Sequence, residues 1–137
     1  MTEQFQEPEI IYQTPNLIFK EDVFEIVGIC MEIHRILRKG FQEIVYKDAM
    51  EYEFKKRNRE YAREKKFEIS YKDTILPHYY IADFVFDDKI ILEVKAQQQA
   101  VDSHFRQTIN YLAASKIKLG LIINFGEDSL KFKRVVL

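Results

Sequence analysis

Ile81-Ala82-Asp83-Phe84-Val85-Phe86-Asp87-Asp88-Lys89-Ile90-Ile91-Leu92-Glu93-Val94-Lys95 is the stretch on which the fold turns. Two apolar runs flank a polar break, as two strands flank a turn. Yet Asp83 stands inside the first run, and Glu93 and Lys95 stand inside the second. Side chains alternate faces along a strand, so Glu93 and Lys95 share one face while Ile90, Leu92 and Val94 share the other. A charge on a covered face is costly unless it is paired or holds a metal. Loop length then decides the geometry. With a two-residue turn at Asp87-Asp88, Asp83 faces Leu92 and misses Glu93. With a three-residue loop from Asp87 to Lys89, Asp83 faces Glu93, their Cβ atoms ~5 Å apart. Two facing carboxylates repel, and a divalent cation between them removes the conflict, since hard cations such as Mg²⁺ take oxygen ligands. Lys95 is placed to stabilise developing negative charge or to orient a water. This set suits metal-assisted phosphodiester hydrolysis. The plainer reading is a surface hairpin with solvated charges, because Asp-x₉-Glu-x-Lys alone is an unspecific spacing.

The surrounding pattern places this hairpin in a larger fold. Val23, Ile26, Val27, Cys30, Ile33 and Leu37 recur at helical spacing from Lys20, and Gly40 supplies a stop. A second helix is expected from about Gln42 to Arg57, with Tyr46, Ala49, Met50 and Phe54 as its apolar stripe. Phe67, Ile69 and Tyr71 alternate as a half-buried strand. Strands follow over 79–86 and 90–95, a helix over 101–114, a buried strand over 119–125 and a last strand over 130–136. The order α-α-β-β-β-α-β-β implies an α+β (α/β) domain, a mixed sheet flanked by helices. Residues 1–19, with Pro8 and Pro15, read as an extended arm ahead of a single domain over 20–137.

With 137 residues the chain suits one compact domain. No apolar run approaches the ~20 residues that span a bilayer, so no membrane association is expected. The single cysteine, Cys30, excludes an internal disulfide and any multi-cysteine metal centre. A cytoplasmic setting is the expectation. Net charge is −1, but residues 55–66 carry seven basic side chains against two acidic ones, a local +5 that leaves −6 for the rest. Lys55, Lys56 and Arg57 open this segment. A basic patch on an acidic body can steer a polyanion to one place; the plainer reading is a solvated helix end.

Two further elements point toward the same centre. Glu43 shares the core-facing stripe of the second helix with Tyr46 and Met50, at i, i+3, i+7. It either favours the positive helix N-terminus or reaches a metal. His104, Gln107 and Tyr111 form a polar stripe at the same spacing on the third helix, with Phe105, Thr108 and Leu112 offering the competing core face. His34 reads as a packing or capping histidine.

Gly40-Phe41-Gln42-Glu43-Ile44-Val45-Tyr46 resembles the signature of the GxxExxY proteins, which are assigned to the PD-(D/E)xK nuclease superfamily. The resemblance runs over about residues 20–137. It takes in Glu32-Ile33-His34-Arg35, Ala82-Asp83-Phe84, Glu93-Val94-Lys95, the His104/Gln107/Tyr111 stripe, and the run from Leu119 to Gly126. It implies a restriction-endonuclease-like core, with Mg²⁺ or Mn²⁺ held by Asp83, Glu93 and Glu43, and with Lys95 catalytic. Gln107 and Tyr111 resemble the Gln-x-x-x-Tyr element of exonuclease-type members, which lies beside the active site and contacts DNA. Ala82 stands where the superfamily name has proline, and no four-cysteine cluster is present.

The expected function is therefore a Mg²⁺-dependent nuclease hydrolysing DNA, with Lys55, Lys56 and Arg57 on the nucleic-acid backbone. The alternative is a catalytically inactive module of the same fold that binds nucleic acid or a protein partner. A structural protein that uses the 1–19 arm for dimer exchange, and so a homodimer, is the third reading.

Overall fold

The computed structural model describes residues 18–99 and 102–137. Residues 1–17, nearly all of the expected arm, lie outside the described residues. The elements are α1 (Lys20–Leu37), α2 (Glu43–Lys56), β1 (Tyr61–Tyr71), β2 (Thr74–Phe86), β3 (Ile90–Lys95), α3 (Asp102–Ser115), β4 (Leu119–Asn124) and β5 (Lys131–Val136). The order is the one expected from the sequence. The strands form one sheet in chain order, β1-β2-β3-β4-β5. Only the β3–β4 pair is parallel, and α3 makes its crossover. The chain is thus a mixed α+β fold.

Each sheet face has its own core. Phe84, Phe86, Ile90, Leu92, Val94, Leu119, Leu121 and Ile123 pack beneath α1 and α2, whose apolar stripes supply Ile26, Cys30, Tyr46, Met50 and Phe54. Ala82, Val85, Ile91 and Val135 pack on the other face against Tyr111 and Leu112 of α3. Helix α3 sits very close to β4: a Cβ added at Gly120 would come within 2.7 Å of Thr108 Cγ2.

β1 and β2 are longer than the sequence pattern suggests. The reason is that their alternation is hidden by charge over 63–66 and by Pro77 in the exposed half of β2. Pro77 lies where the β1–β2 register shifts, between the Glu68–Tyr79 and Ser70–Ile75 pairs, a place where its missing N–H costs no ladder bond.

The signature around Gly40 is largely architectural. Gly40 has φ 120°, open to glycine but strained for other residues. Tyr46 is buried, stacks on Phe125 at 4.5 Å, and its hydroxyl donates to the Arg38 carbonyl at 2.6 Å. His34 stacks against the same Phe125 and lies 2.9 Å from the Glu127 carbonyl, which is a packing role.

Candidate active site

The β2–β3 hairpin has the register of a three-residue loop: Phe86 pairs with Ile90, Val85 with Ile91 and Phe84 with Leu92. Asp87 and Asp88 adopt left-handed φ of 53° and 54° in that loop, a conformation short polar side chains tolerate. The next opposed pair is Asp83 and Glu93. There the side chains replace the ladder. The Asp83 amide donates to Glu93 Oε2 at 2.9 Å, and the Val94 amide donates to Asp83 Oδ2 at 2.8 Å. Each carboxylate is held by the backbone of the facing strand.

On its other side Asp83 faces Glu64, between the pairs Arg63–Phe84 and Lys65–Ala82. Glu64 has φ 58°. Regular alternation breaks on both strands here. Ala82 and Val85, three apart, belong to the same core face, as do Ala62 and Phe67, five apart. An unbroken strand would put residues at odd separations on opposite faces. The local break turns Asp83 and Glu64 toward α2. Lys47 of α2 meets them: its Nζ lies 3.0 Å from Asp83 Oδ1 and also bonds Glu64. The Lys47 side chain is only 8% exposed. Burial alone would depress its ammonium, but the bonds to Glu64 and Asp83 outweigh that and raise its pKa.

Glu93 is 2% exposed. Burial first, and then the charge of Asp83, push its carboxyl up to about 8, against the lowering effects of the Asp83 amide, Lys95 and Lys47. Lys95 ends β3, half-buried, on the same strand face as Glu93. Its neighbourhood is clamped by Asn124. That side chain accepts from the Gln97 and Gly126 amides at 3.0 Å each and donates to the Gln97 carbonyl at 2.9 Å.

From α3, Tyr111 is buried and packs edge-on against Tyr80 at 5.5 Å. Its phenol is held protonated by burial and then by the charges of Glu93 and Asp83. His104 is pulled down by burial and by Lys95, with Glu43 opposing, so it feels both. Gln107 is exposed.

Glu43, the first residue of α2, is half-buried and bonds neither Asp83 nor Glu93. Among the described residues no three His, Cys, Asp or Glu side chains converge as a metal-binding group. Lys47, one helical turn beyond Glu43, is the α2 side chain that bonds Asp83.

The basic segment is less free than its composition suggests. Arg57 pairs with Glu53 at 3.4 Å and Glu32 at 3.9 Å. Arg59 joins Asp22, Glu25 and Asp87, and Arg63 joins Asp48 and Glu51. Lys56 lies over the Tyr52 ring at 5.8 Å, and Lys55 is exposed. Lys55 and Lys56 sit at the far end of α2 from Glu43, roughly 18 Å along the helix axis.

Sequence reasoning passed over Lys47 and Glu64. Lys47 carried one readable signal, its i+4 spacing from Glu43. Glu64 carried none, because its direction follows from the break in β1.

The family model for the PD-(D/E)XK nuclease superfamily matches residues 20–135. No curated protein matches significantly. Among solved structures, the crystal structure of SSO0001 superposes with a TM-score of 0.56 at 18% identity, over 69% of this chain. The chain spans half the length of that protein, 50%, and the likeness is one of fold. No helix among the described residues is long and apolar enough to cross a membrane.

Proposed function

Because the chain belongs to the PD-(D/E)XK nuclease superfamily, we propose that it is a divalent-cation-dependent nuclease that hydrolyses phosphodiester bonds of DNA. The observation that carries this is the Asp83–Glu93 pair, held face to face by reciprocal backbone bonds and buried so that Glu93 is pushed up to about 8. Without a cation such a pair retains a proton; with one, both groups ionise. The donor chemistry fits Mg²⁺ or Mn²⁺, since Mg²⁺ keeps several waters and needs only one or two carboxylates. Asp83 and Glu93 would hold the ion, and Glu43 would act on it at longer range through its charge. The ion, when bound, supplies polarisation of the phosphate and a water of lowered pKa.

The chain's own groups do the rest. Lys95 offers an ammonium on the face of Glu93, where negative charge develops on the phosphate. Tyr111 presents a neutral phenol and Gln107 an exposed amide four residues before it, a stripe suited to hold a strand in place. Lys55 and Lys56 would meet the backbone further along, with Arg57 beside them paired to Glu53 and Glu32.

Lys47 on Asp83 favours the second reading, a module of this fold that binds nucleic acid without cutting it. Cleavage of plasmid, linear duplex and single-stranded DNA, with Mg²⁺ or Mn²⁺ and with chelator, separates the two. The nuclease reading requires cutting that depends on the cation and disappears in Asp83→Asn and Lys95→Met. Binding without cutting under every metal condition selects the module.

A further inference from the structure

We propose that Lys47 sets the cation affinity of the Asp83–Glu93 pair: its ammonium is a resident counter-ion of Asp83 that a divalent ion must displace, and Glu64 receives it. The inference rests on the metal-site reading above and adds to it a residue outside the Asp/Glu/Lys motif.

Three observations support it. First, the carboxylate oxygens are unequally free. Asp83 Oδ2 is taken by the Val94 amide and Glu93 Oε2 by the Asp83 amide. An ion would use Asp83 Oδ1 and the other oxygen of Glu93, and Lys47 Nζ sits 3.0 Å from the first of these. Second, Lys47 already bonds a second carboxylate, Glu64. A buried ammonium that lost its only partner would be very costly. Here the loss of Asp83 leaves Glu64, so displacement is feasible. Glu64 is brought there by a left-handed φ of 58°, a conformation that costs a non-glycine residue free energy. Third, an ammonium and a divalent ion on one carboxylate repel, the more so where water is excluded. A group that stabilises the metal-free state more than the loaded state must weaken metal binding by that difference.

The test is calorimetric titration of Mn²⁺ into the full chain without nucleic acid, for wild type, Lys47→Met and Glu64→Gln. Lys47→Met should bind Mn²⁺ at least about tenfold more tightly. Glu64→Gln should bind severalfold more weakly, because Lys47 then has Asp83 as its remaining anion. A Lys47 that only braced the fold would, when replaced, weaken Mn²⁺ binding or leave it unchanged, not tighten it. The Glu64 side chain is 54% exposed, so that variant decides the matter should Lys47→Met fail to fold. Unchanged affinity, or a shift opposite to that stated in either variant, overturns the inference and leaves the proposed function standing. No Mn²⁺ binding in any of the three proteins overturns both.

Discussion

Glu93 joins stability to pH in a way that can be measured without knowing the substrate. Its carboxyl ionises at about 8 in the folded chain and near 4.5 when unperturbed, so the folded state binds the proton more tightly. The stability it contributes is complete below pH 4.5 and is lost as pH rises through about 8. Between those limits its share of the unfolding free energy falls by about 1.4 kcal/mol per pH unit. In chelator, urea unfolding at several pH values should show this fall in wild type and lose it in Glu93→Gln, whose amide oxygen still accepts from the Asp83 amide. Parallel curves for the two proteins would mean that Glu93 is solvated. Tyr111 allows a second measurement at this scale. Tyr111→Phe keeps the ring against Tyr80 and should melt within a few degrees of wild type, while nucleic-acid binding or cleavage drops by about tenfold, or ~1.4 kcal/mol. Full activity in that variant would remove the phenol from the site. Both residues were legible in the sequence by spacing, Glu93 through strand alternation and Tyr111 through its helical stripe.

The strands and helices position these groups through close backbone approaches. Gly126 follows β4 where the chain passes residues 96 and 97, just beyond Lys95. A Cβ there would come within 2.3 Å of the Gln97 nitrogen and 2.4 Å of its carbonyl oxygen. Neither is the end of a flexible side chain. Gly126→Ala should therefore cost about 1–3 kcal/mol or more in urea unfolding and should also disturb Lys95. Gly28 is the internal control: it is exposed on α1 with nothing within 4 Å of an added Cβ. Gly28→Ala should stabilise by about 0.5–1 kcal/mol. Equal effects of the two substitutions would contradict the close packing at Gly126. β1 was only half legible at this scale. Phe67, Ile69 and Tyr71 alternate openly, but Arg63, Glu64, Lys65 and Lys66 read as a charge run. The strand continues through them because β2 pairs with the backbone of Arg63, Lys65 and Lys66, which no side-chain period announces.

Across the whole molecule, charge is arranged differently from its distribution along the chain. Arg57, Arg59 and Arg63 are satisfied by carboxylates, and Arg59 also packs over the Phe86 ring at 4.7 Å. Lys55 and Lys56 remain for a polyanion. If both contact duplex phosphates, Lys55→Gln with Lys56→Gln should reduce the slope of log affinity against log salt by about 1.8. An unchanged slope in a filter-binding or fluorescence titration would move the nucleic-acid path elsewhere. The β2–β3 register decided the three-residue loop that opposes Asp83 to Glu93, where the sequence left two lengths open. Sequence alone determined the order of elements and the shared face of Glu93 and Lys95. Each follows from a local period of two or about 3.6 residues, which the chain carries wherever it folds. Only the tertiary structure decided that Lys47, 36 residues from Asp83, lies against it, that Glu64 turns out of its strand to join them, and that the arginines of the basic segment are paired. Ion pairs between distant residues depend on which surfaces the sheet and helices bring within a few ångströms, and no local period records that.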